Sequence, residues 1–189
     1  MMRNRKIQFA LFLAVLFCGV GLASTSSQGK PNLPEIRKGI EIFESVLNQS
    51  IAQAFGGPFE ALGRARGAYL PGYGAIFSFE VSLTSFRDLG PFSSPSTPKS
   101  EQALREEEAH RRAKAKAVAE DVLGNYAQAL SQLSPDESVA IVIHAVAAHP
   151  SKVDRSTIVI SADRKLLDAR LNHAIDQAHF VQKLSITEY

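Results

Sequence analysis

Histidine is the first residue type here whose spacing could do chemistry. His144 and His149 flank the end of an apolar run, and His173 and His179 lie six residues apart. Neither spacing matches the H-x-x-x-H pattern that places two imidazoles on one helix face, and no cysteine or carboxylate at a ligand spacing completes a set beside them. We therefore expect no metal site and no cofactor, and we expect His144 to be a core histidine with backbone or carboxylate partners.

Serine could supply a nucleophile for histidine, but no serine stands in the G-x-S-x-G pattern that marks an activated hydroxyl on a strained turn. A triad can still assemble from scattered residues, because it is defined by geometry and not by order along the chain. The sequence therefore assigns no catalytic residue. It leaves open a hydrolase with a non-motif Ser/His site that uses His144 or His149.

Phosphate and nucleic-acid binding are also disfavoured. The glycines between residues 56 and 74 are not followed by Lys-Ser/Thr or by a helix, so they fit turns better than a phosphate cradle. Three glutamates at 106–108 precede a basic run at 111–116. Mixed charge of this kind is typical of a solvated helix face, and we expect no nucleic-acid partner.

The best candidate for binding is a turn with tyrosines on both sides, together with the basic run. Tyrosine combines a large rigid surface with a polar tip, which suits a recognition surface. The competing interpretation of these tyrosines is packing within a hairpin. The candidate ligand-binding or partner-binding residues are Tyr69, Pro71, Gly72, Tyr73, Arg111 and Arg112.

The first 23 residues have the organisation of an export signal. A basic start with Arg3, Arg5 and Lys6 precedes an apolar run from Ile7 to Leu22, and small residues before a cut after Ala23 suit a signal peptidase. This pattern predicts a protein of the periplasm or the extracellular space. Two alternatives stay open, namely a membrane anchor retained at 7–23 and a lipoprotein acylated on Cys18.

Removal of that segment changes the composition of the chain. The sequence has 21 Lys and Arg and 19 Asp and Glu; three of the basic residues belong to the segment, so the remainder carries a charge of about −1. Cys18 is the single cysteine, so the mature chain is expected to be cysteine-free and to lack disulfides. A 189-residue chain without this segment is still long enough to bury roughly 70% of its surface in one core.

The hydrophobic pattern predicts one mixed α/β (α+β) domain at 34–189, preceded by a flexible leader at 24–33. Apolar residues at every third or fourth position predict a helix from Asn32 or Pro34 to Phe55. Strict alternation predicts a strand at Tyr73–Leu83. The Pro71-Gly72 turn, with Pro and Gly at the two central positions of type II geometry, joins it to a strand at Arg66–Leu70.

A Pro- and Ser-rich loop at 85–100 separates this hairpin from a long helix, which we expect to be capped by Thr97, to start at Pro98 and to end at Leu133. Its first half is nearly all charge and is expected to project or to lie on the surface. Its second half is expected to cover the sheet. The apolar stripe of that second half consists of Val118, Val122, Tyr126, Leu130 and Leu133.

The remaining elements complete a mixed four-stranded sheet in the order α-β-β-α-β-β-α(-α). Val139–Ala147 is apolar on both faces apart from His144, which predicts a central strand covered on two sides. Thr157–Ser161 is expected to pair antiparallel with it. The Tyr73 and Val139 strands would form a right-handed crossover if they are parallel. The C-terminal region is expected to be helical through Leu171 and again through Leu184, as either one helix or two.

The YLPGYG stretch at 69–74, Arg164-Lys165 at a helix start and the closing Thr187-Glu188-Tyr189 resemble a group of exported bacterial proteins without an assigned activity. The resemblance implies secretion and a single intact domain, and it implies no catalytic role. Together with the residue-level analysis it predicts a non-catalytic binding or structural module of the cell envelope with a possible envelope protein partner. The hydrolase described above is the alternative.

Overall fold

A computed structural model describes residues 32–56, 61–84, 100–148 and 153–189. The predicted export signal, the predicted leader up to residue 31, most of the Pro- and Ser-rich loop, Cys18 and His149 lie outside these ranges. The elements, in chain order, are α1 (Leu33–Ala54), β1 (Arg66–Leu70), β2 (Gly74–Ser82), α2 (Glu101–Tyr126) with a 3-10 turn (Ala127–Leu130), β3 (Ser138–Ala148), β4 (Val153–Asp163), α3 (Arg164–Leu171), α4 (Gln177–Lys183) and β5 (Ser185–Glu188).

The five strands form one mixed sheet in the order β1-β2-β3-β4-β5. Strands β2 and β3 are parallel and are joined through α2, whereas the other neighbours are antiparallel. The predicted α+β architecture and the central position of β3 are confirmed. The predicted number of four strands is wrong, because the last residues form a fifth strand beside β4.

One continuous core lies between the helices and a single side of the sheet. The alternate residues Phe77, Phe79 and Val81 of β2 and Ile141 and Ile143 of β3 are fully buried there together with the apolar stripes of the helices. The intervening residues of the same strands face the opposite side. The prediction that β3 is covered on both sides is therefore wrong for the described residues.

Helix α1 follows its predicted periodicity within one residue at each end. Its buried stripe of Ile36, Ile40, Phe43, Leu47 and Ile51 faces the sheet, and the ring centroids of Phe43 and Phe77 are 4.4 Å apart. Gly39 lies where α1 meets the 3-10 turn, and a Cβ built on it would stand 2.2 Å from the Ala129 carbonyl oxygen. A glycine in the first turns of the helix thus permits close approach of backbone to backbone.

The β1–β2 hairpin has the predicted turn geometry. The Tyr73 amide donates to the Leu70 carbonyl oxygen over 3.0 Å, and Gly72 has φ +81°, as the third position of a type II turn requires. Gly74 has φ +125°, and a Cβ on it would lie 2.0 Å from the Ser138 carbonyl oxygen. Glycine is needed there because β2 begins in direct backbone contact with β3.

Helix α2 is shorter at both ends than its predicted range. Its cap is Ser100, whose hydroxyl accepts from the Ala103 amide over 3.2 Å, and Thr97 and Pro98 lie outside the described residues. The α-helix ends at Tyr126, and the change to a 3-10 turn breaks the predicted stripe. Tyr126 is 45% exposed, and small side chains at Ala115 and Ala119 are buried instead, which lets α2 lie close to the sheet.

The C-terminal helices are two separate elements. Asp163 caps α3 and Asp176 caps α4, each through a carboxylate that accepts a backbone N–H. Between them His173 has φ +57°, a left-handed conformation that ends α3. Arg164, the first residue of α3, is buried and donates to the Leu130 carbonyl oxygen over 3.0 Å and to Asp168 over 2.5 Å, so it fastens α3 to the end of the 3-10 turn.

Side chains of α1 bind the backbone at the outer edge of the sheet. Glu44 accepts from the Gly67 amide over 2.6 Å. Asn48 accepts from the Ala65 amide over 2.8 Å and donates to the Ala65 carbonyl oxygen over 3.3 Å. Unpaired edge groups are templates for association with other strands, so these contacts protect the β1 edge.

Candidate functional site

The side of the sheet opposite the helices is not covered by any described helix, and we call it the open face. Its residues alternate with core residues along β1 to β4. No described helix packs on this side, since the buried residues of all four helices belong to the core on the other side. The open face consists of Arg66, Ala68, Ile76, Ser78, Glu80, Ala140, Val142, His144, Val146, Arg155, Thr157, Val159 and Ser161.

The centre of the open face is apolar without being fully buried. Ile76, Val142, Val146 and Val159 are all half-buried, and Ala140 is 2% exposed. Branched side chains on adjacent strands shield one another at strand spacing even without a covering layer. This mutual shielding explains why the sequence of β3 resembles that of a strand buried on both sides.

A polar row crosses this apolar surface on three neighbouring strands. The registers place Glu80 of β2 beside His144 of β3, and His144 beside Thr157 of β4. Arg155 of β4 is paired with Val146, which lies two residues beyond His144 on the same face of the sheet. These side chains line a shallow cavity of about 240 Å³. The row brings an anion, a cation and an imidazole together on one surface.

His144 is exposed, so its prediction as a core histidine is wrong. The reason is that it alternates with the buried residues Ile143 and Ala145 and therefore projects from the open face. Its Nδ1 lies 3.5 Å from the Thr157 hydroxyl oxygen, which is at the outer limit for a hydrogen bond. This contact is not the short serine–histidine pair that a hydrolase would need, and the hydrolase alternative gains no support from the described residues.

The six sequence-predicted binding residues occupy two separate regions. Pro71, Gly72 and Tyr73 form the exposed turn at the start of β2, and Tyr73 is 40% exposed. The turn precedes the start of β2, which is paired with Ser138 at the start of β3. Arg112 contacts Ser156 of β4, which is paired with Ala145 further along β3. Seven residues of strand separate these positions, a distance of about 23 Å at the usual rise. The turn and the arginines therefore do not form one site.

Tyr69 has a structural partner. Its hydroxyl donates to Glu137 over 2.7 Å, and the other carboxylate oxygen of Glu137 accepts from the Ser134 amide over 2.8 Å. Glu137 is 6% exposed. The hydrogen bond to this carboxylate, followed by burial, raises the pKa of Tyr69 above its ordinary value of 10.0. Tyr69 thus joins the hairpin to the loop before β3, which agrees with the packing interpretation for this tyrosine.

Arg112 also has a structural role, because it helps to anchor the last strand. Arg112 and Lys116 both donate to the carboxylate of Glu188 in β5, the lysine over 2.8 Å, and Arg112 also donates to the Ser156 hydroxyl over 2.7 Å. The hydrogen bond from Lys116 is the largest cause that lowers the pKa of Glu188, and Arg112 lowers it further. Two cations on α2 therefore hold β5 against β4.

Arg111 lies beside a groove between the end of α1 and the charged half of α2. The groove has a volume of about 280 Å³ and is lined by Phe55, Glu107, His110, Arg111 and Lys114. Arg111 pairs with Glu107 over 3.2 Å, and the Lys114 ammonium stands 5.7 Å from the centre of the Phe55 ring. The charged half of α2 is thus tied to α1 on this side and does not project freely.

Metal and membrane sites receive no support from the described ranges. No three histidine, cysteine, aspartate or glutamate side chains among the described residues are grouped as metal ligands would be. None of the helices in those ranges has both the length and the apolarity needed to cross a bilayer.

Sequence reasoning missed the residues that the fold brings together on the open face. Glu80 was visible as a polar position in an alternating strand, but its proximity to Arg155 depends on the registers of β2 with β3 and of β3 with β4. One signal was present, since Glu80 and His144 each interrupt a run of apolar or small residues. Comparison with known proteins adds no further assignment, because no family model, no curated protein and no solved structure matches this chain.

Proposed function

We propose that this chain is an exported, non-catalytic module that binds a protein surface through the open face. The single observation that carries the proposal is the one-sided fold, in which all the described helices pack on one side of a five-stranded sheet. The other side displays half-buried valines and an isoleucine beside Glu80 and Arg155, which make no ion pair with another described residue. Surfaces that combine apolar area with a polar rim are typical of protein interaction sites.

The shape of the open face favours a protein over a small molecule. Its cavity has a volume of 240 Å³, whereas pockets for small ligands commonly enclose about 300–1,000 Å³ and surround most of the ligand. A flat sheet surface offers no such enclosure. It matches a second flat surface, since stacked sheets pack about 10 Å apart with interdigitated side chains.

Export is part of the proposal and rests on the first 23 residues. The basic start, the apolar run and the small residues before the expected cut support it. The composition agrees with this location, because the single cysteine, Cys18, lies inside that segment. A mature chain without thiols avoids disulfide exchange in an oxidising compartment.

Site-directed cysteine labelling tests the proposed surface. In a Cys18→Ser background, single Ser78→Cys and Thr157→Cys variants place a thiol on the open face, and Glu41→Cys places a control thiol on the exposed side of α1. Maleimide labelling rates are compared between cells that express the protein and the dilute purified protein. We expect the two open-face thiols to react at least 5-fold more slowly in cells, as in the shielded core of an interface, with no change at the control. Equal slowing at all three positions, or at none, would contradict the proposal.

A further inference from the structure

The partner that the open face fits best is a second copy of the chain. We propose that two copies stack open face to open face around a two-fold axis that runs parallel to β3. This inference rests on the proposed function, because it names the occupant of the same surface. It depends on the order of the strands and on the positions of two charged residues, Glu80 and Arg155.

The strand order makes the surface self-complementary. β3 is the middle strand of five, with β2 on one side and β4 on the other. A two-fold axis above β3 and parallel to it leaves β3 facing its own symmetry mate and places β2 of each copy over β4 of the other. Such an isologous contact closes after two copies.

The charges fit this arrangement. Glu80 lies on β2 and Arg155 on β4, and neither belongs to an ion pair among the described residues. The two-fold axis brings Glu80 of each copy over β4 of the other. Arg155 is displaced from the Glu80 row by one alternate position, about 7 Å along the strand, which the length of an arginine side chain spans. The arrangement gives two equivalent ion pairs, each between Glu80 of one copy and Arg155 of the other. Neither residue then faces a residue of the same charge among these four.

The apolar residues and the area also fit a second copy. Val142 lies on β3, so it contacts its own symmetry mate near the axis, with Val159 and Ile76 on either side. At the usual strand spacing and rise, the described strands present a projected area of about 600 Å². Specific interfaces bury about 1,200–2,000 Å² over both partners, so the open face is large enough for a stable dimer.

Charge exchange is the decisive test. The mass of the full chain is measured by light scattering and sedimentation across a concentration series, for wild type, Glu80→Arg, Arg155→Glu and the double variant that carries both changes. We expect a dimer for wild type, at least about 10-fold weaker dimerisation for each single variant, since like charges then face each other, and recovery to within about 3-fold for the double variant.

Matched controls separate this effect from damage to the fold. Arg37→Glu and Glu41→Arg make the same charge changes on α1, where both side chains are exposed, and they are expected to leave the mass unchanged. Circular dichroism and thermal unfolding report whether each variant is folded. Val142→Lys gives a second folded variant that is expected to be monomeric.

The outcomes distinguish the inference from the proposed function. A wild-type protein that stays monomeric up to roughly 1 mM, or a double variant no better than the single variants, overturns the dimer. If the open-face thiols are still protected in cells while the purified protein is monomeric, the proposed function stands with a different protein as partner. If the thiols are unprotected as well, both fail.

Discussion

Replacement of Tyr69 by phenylalanine removes one hydroxyl and nothing else. That hydroxyl donates to Glu137 over 2.7 Å, and Glu137 is almost fully buried. The carboxylate would keep the Ser134 amide on its other oxygen, but the first oxygen would lose its partner. The substitution therefore tests whether Tyr69 stabilises the fold, as the structure indicates, in place of the binding role that the sequence predicts.

The expected loss follows from the charge and the burial of the acceptor. A hydrogen bond to a charged group contributes about 1.5–3 kcal/mol, and a buried oxygen left without a partner retains its desolvation cost. We therefore expect the free energy of unfolding of Tyr69→Phe to fall by about 2 kcal/mol. For a domain of this length, that corresponds to a lower melting temperature by about 4–8 °C.

The assay is chemical denaturation at neutral pH with Tyr73→Phe as the matched control. Tyr73 is 40% exposed, so its hydroxyl remains solvated in both states and the control should change by less than about 0.5 kcal/mol. The pH dependence gives a second measurement. Because the pKa of Tyr69 is raised in the folded state, its contribution is fully present below the unfolded value of about 10 and is lost as the pH rises through the folded value.

The result that would refute this reasoning is equal stability of Tyr69→Phe and Tyr73→Phe at pH 7. A difference that does not shrink as the pH rises above 10 would also contradict it, because the hydroxyl of the unfolded chain ionises there and the stabilisation is lost towards the raised folded-state pKa.

Three further perturbations test other contacts. Gly39→Ala should lower the free energy of unfolding by about 1–3 kcal/mol despite better helix propensity, because its Cβ meets a backbone carbonyl; calorimetry against Gly63→Ala, where no atom lies within 4 Å, checks this. Glu188→Gln should increase the rate of backbone amide hydrogen exchange in β5, because it weakens the contacts with Arg112 and Lys116. The control variant Glu41→Gln on α1 should leave that rate unchanged. Since the pKa of Glu188 is lowered by cations of α2, its contribution exists above about pH 4.5 and fades as the pH falls, so acid should abolish the difference. Arg164→Lys should cost about 1–3 kcal/mol in urea denaturation, because an ammonium cannot bind Leu130 and Asp168 together in the same geometry.

The parts of the fold with a clear local period were predictable from the sequence. Helix α1 and the β1–β2 hairpin match their predicted ranges closely, because an apolar stripe and a Pro-Gly turn are local signals. Asp163 and Asp176 also carry a local signal, because aspartate is among the residues that commonly cap a helix N-terminus. The left-handed backbone conformation of His173 separates α3 from α4. No simple sequence pattern predicts that conformation at a histidine.

Strand β5 could not be predicted because its causes are remote in sequence. Ser185–Glu188 contains one apolar residue and is exposed along its whole length, so it has no alternation to detect. It is held by the β4 ladder and by the contacts of Arg112 and Lys116 with Glu188. Such tertiary contacts override local propensity.

The candidate site was missed for a related reason. The run Val139–Ala147 has apolar residues on both faces, and only the absence of described helices over one face distinguishes an uncovered strand from a covered one. Glu80 and Arg155 belong to strands that never contact each other, and they become neighbours only through β3. A site whose residues are brought together by strand pairing cannot be predicted until the order and the registers of the strands are known.

The parallel pairing of β2 with β3 has a consequence for how fast the chain can fold. The β3–β4 hairpin aligns eleven residues on each strand across a short connection, so it can form early. Strand β2 can join it only after the long segment from Ser82 to Ser138, with α2 inside it, has closed into a loop. Loop closure costs entropy before the new contacts repay it. We therefore expect the rate-limiting step of folding to be the docking of the β1–β2 hairpin onto a preformed β3–β4 unit, with Gly74 and Ser138 among the last backbone contacts to form.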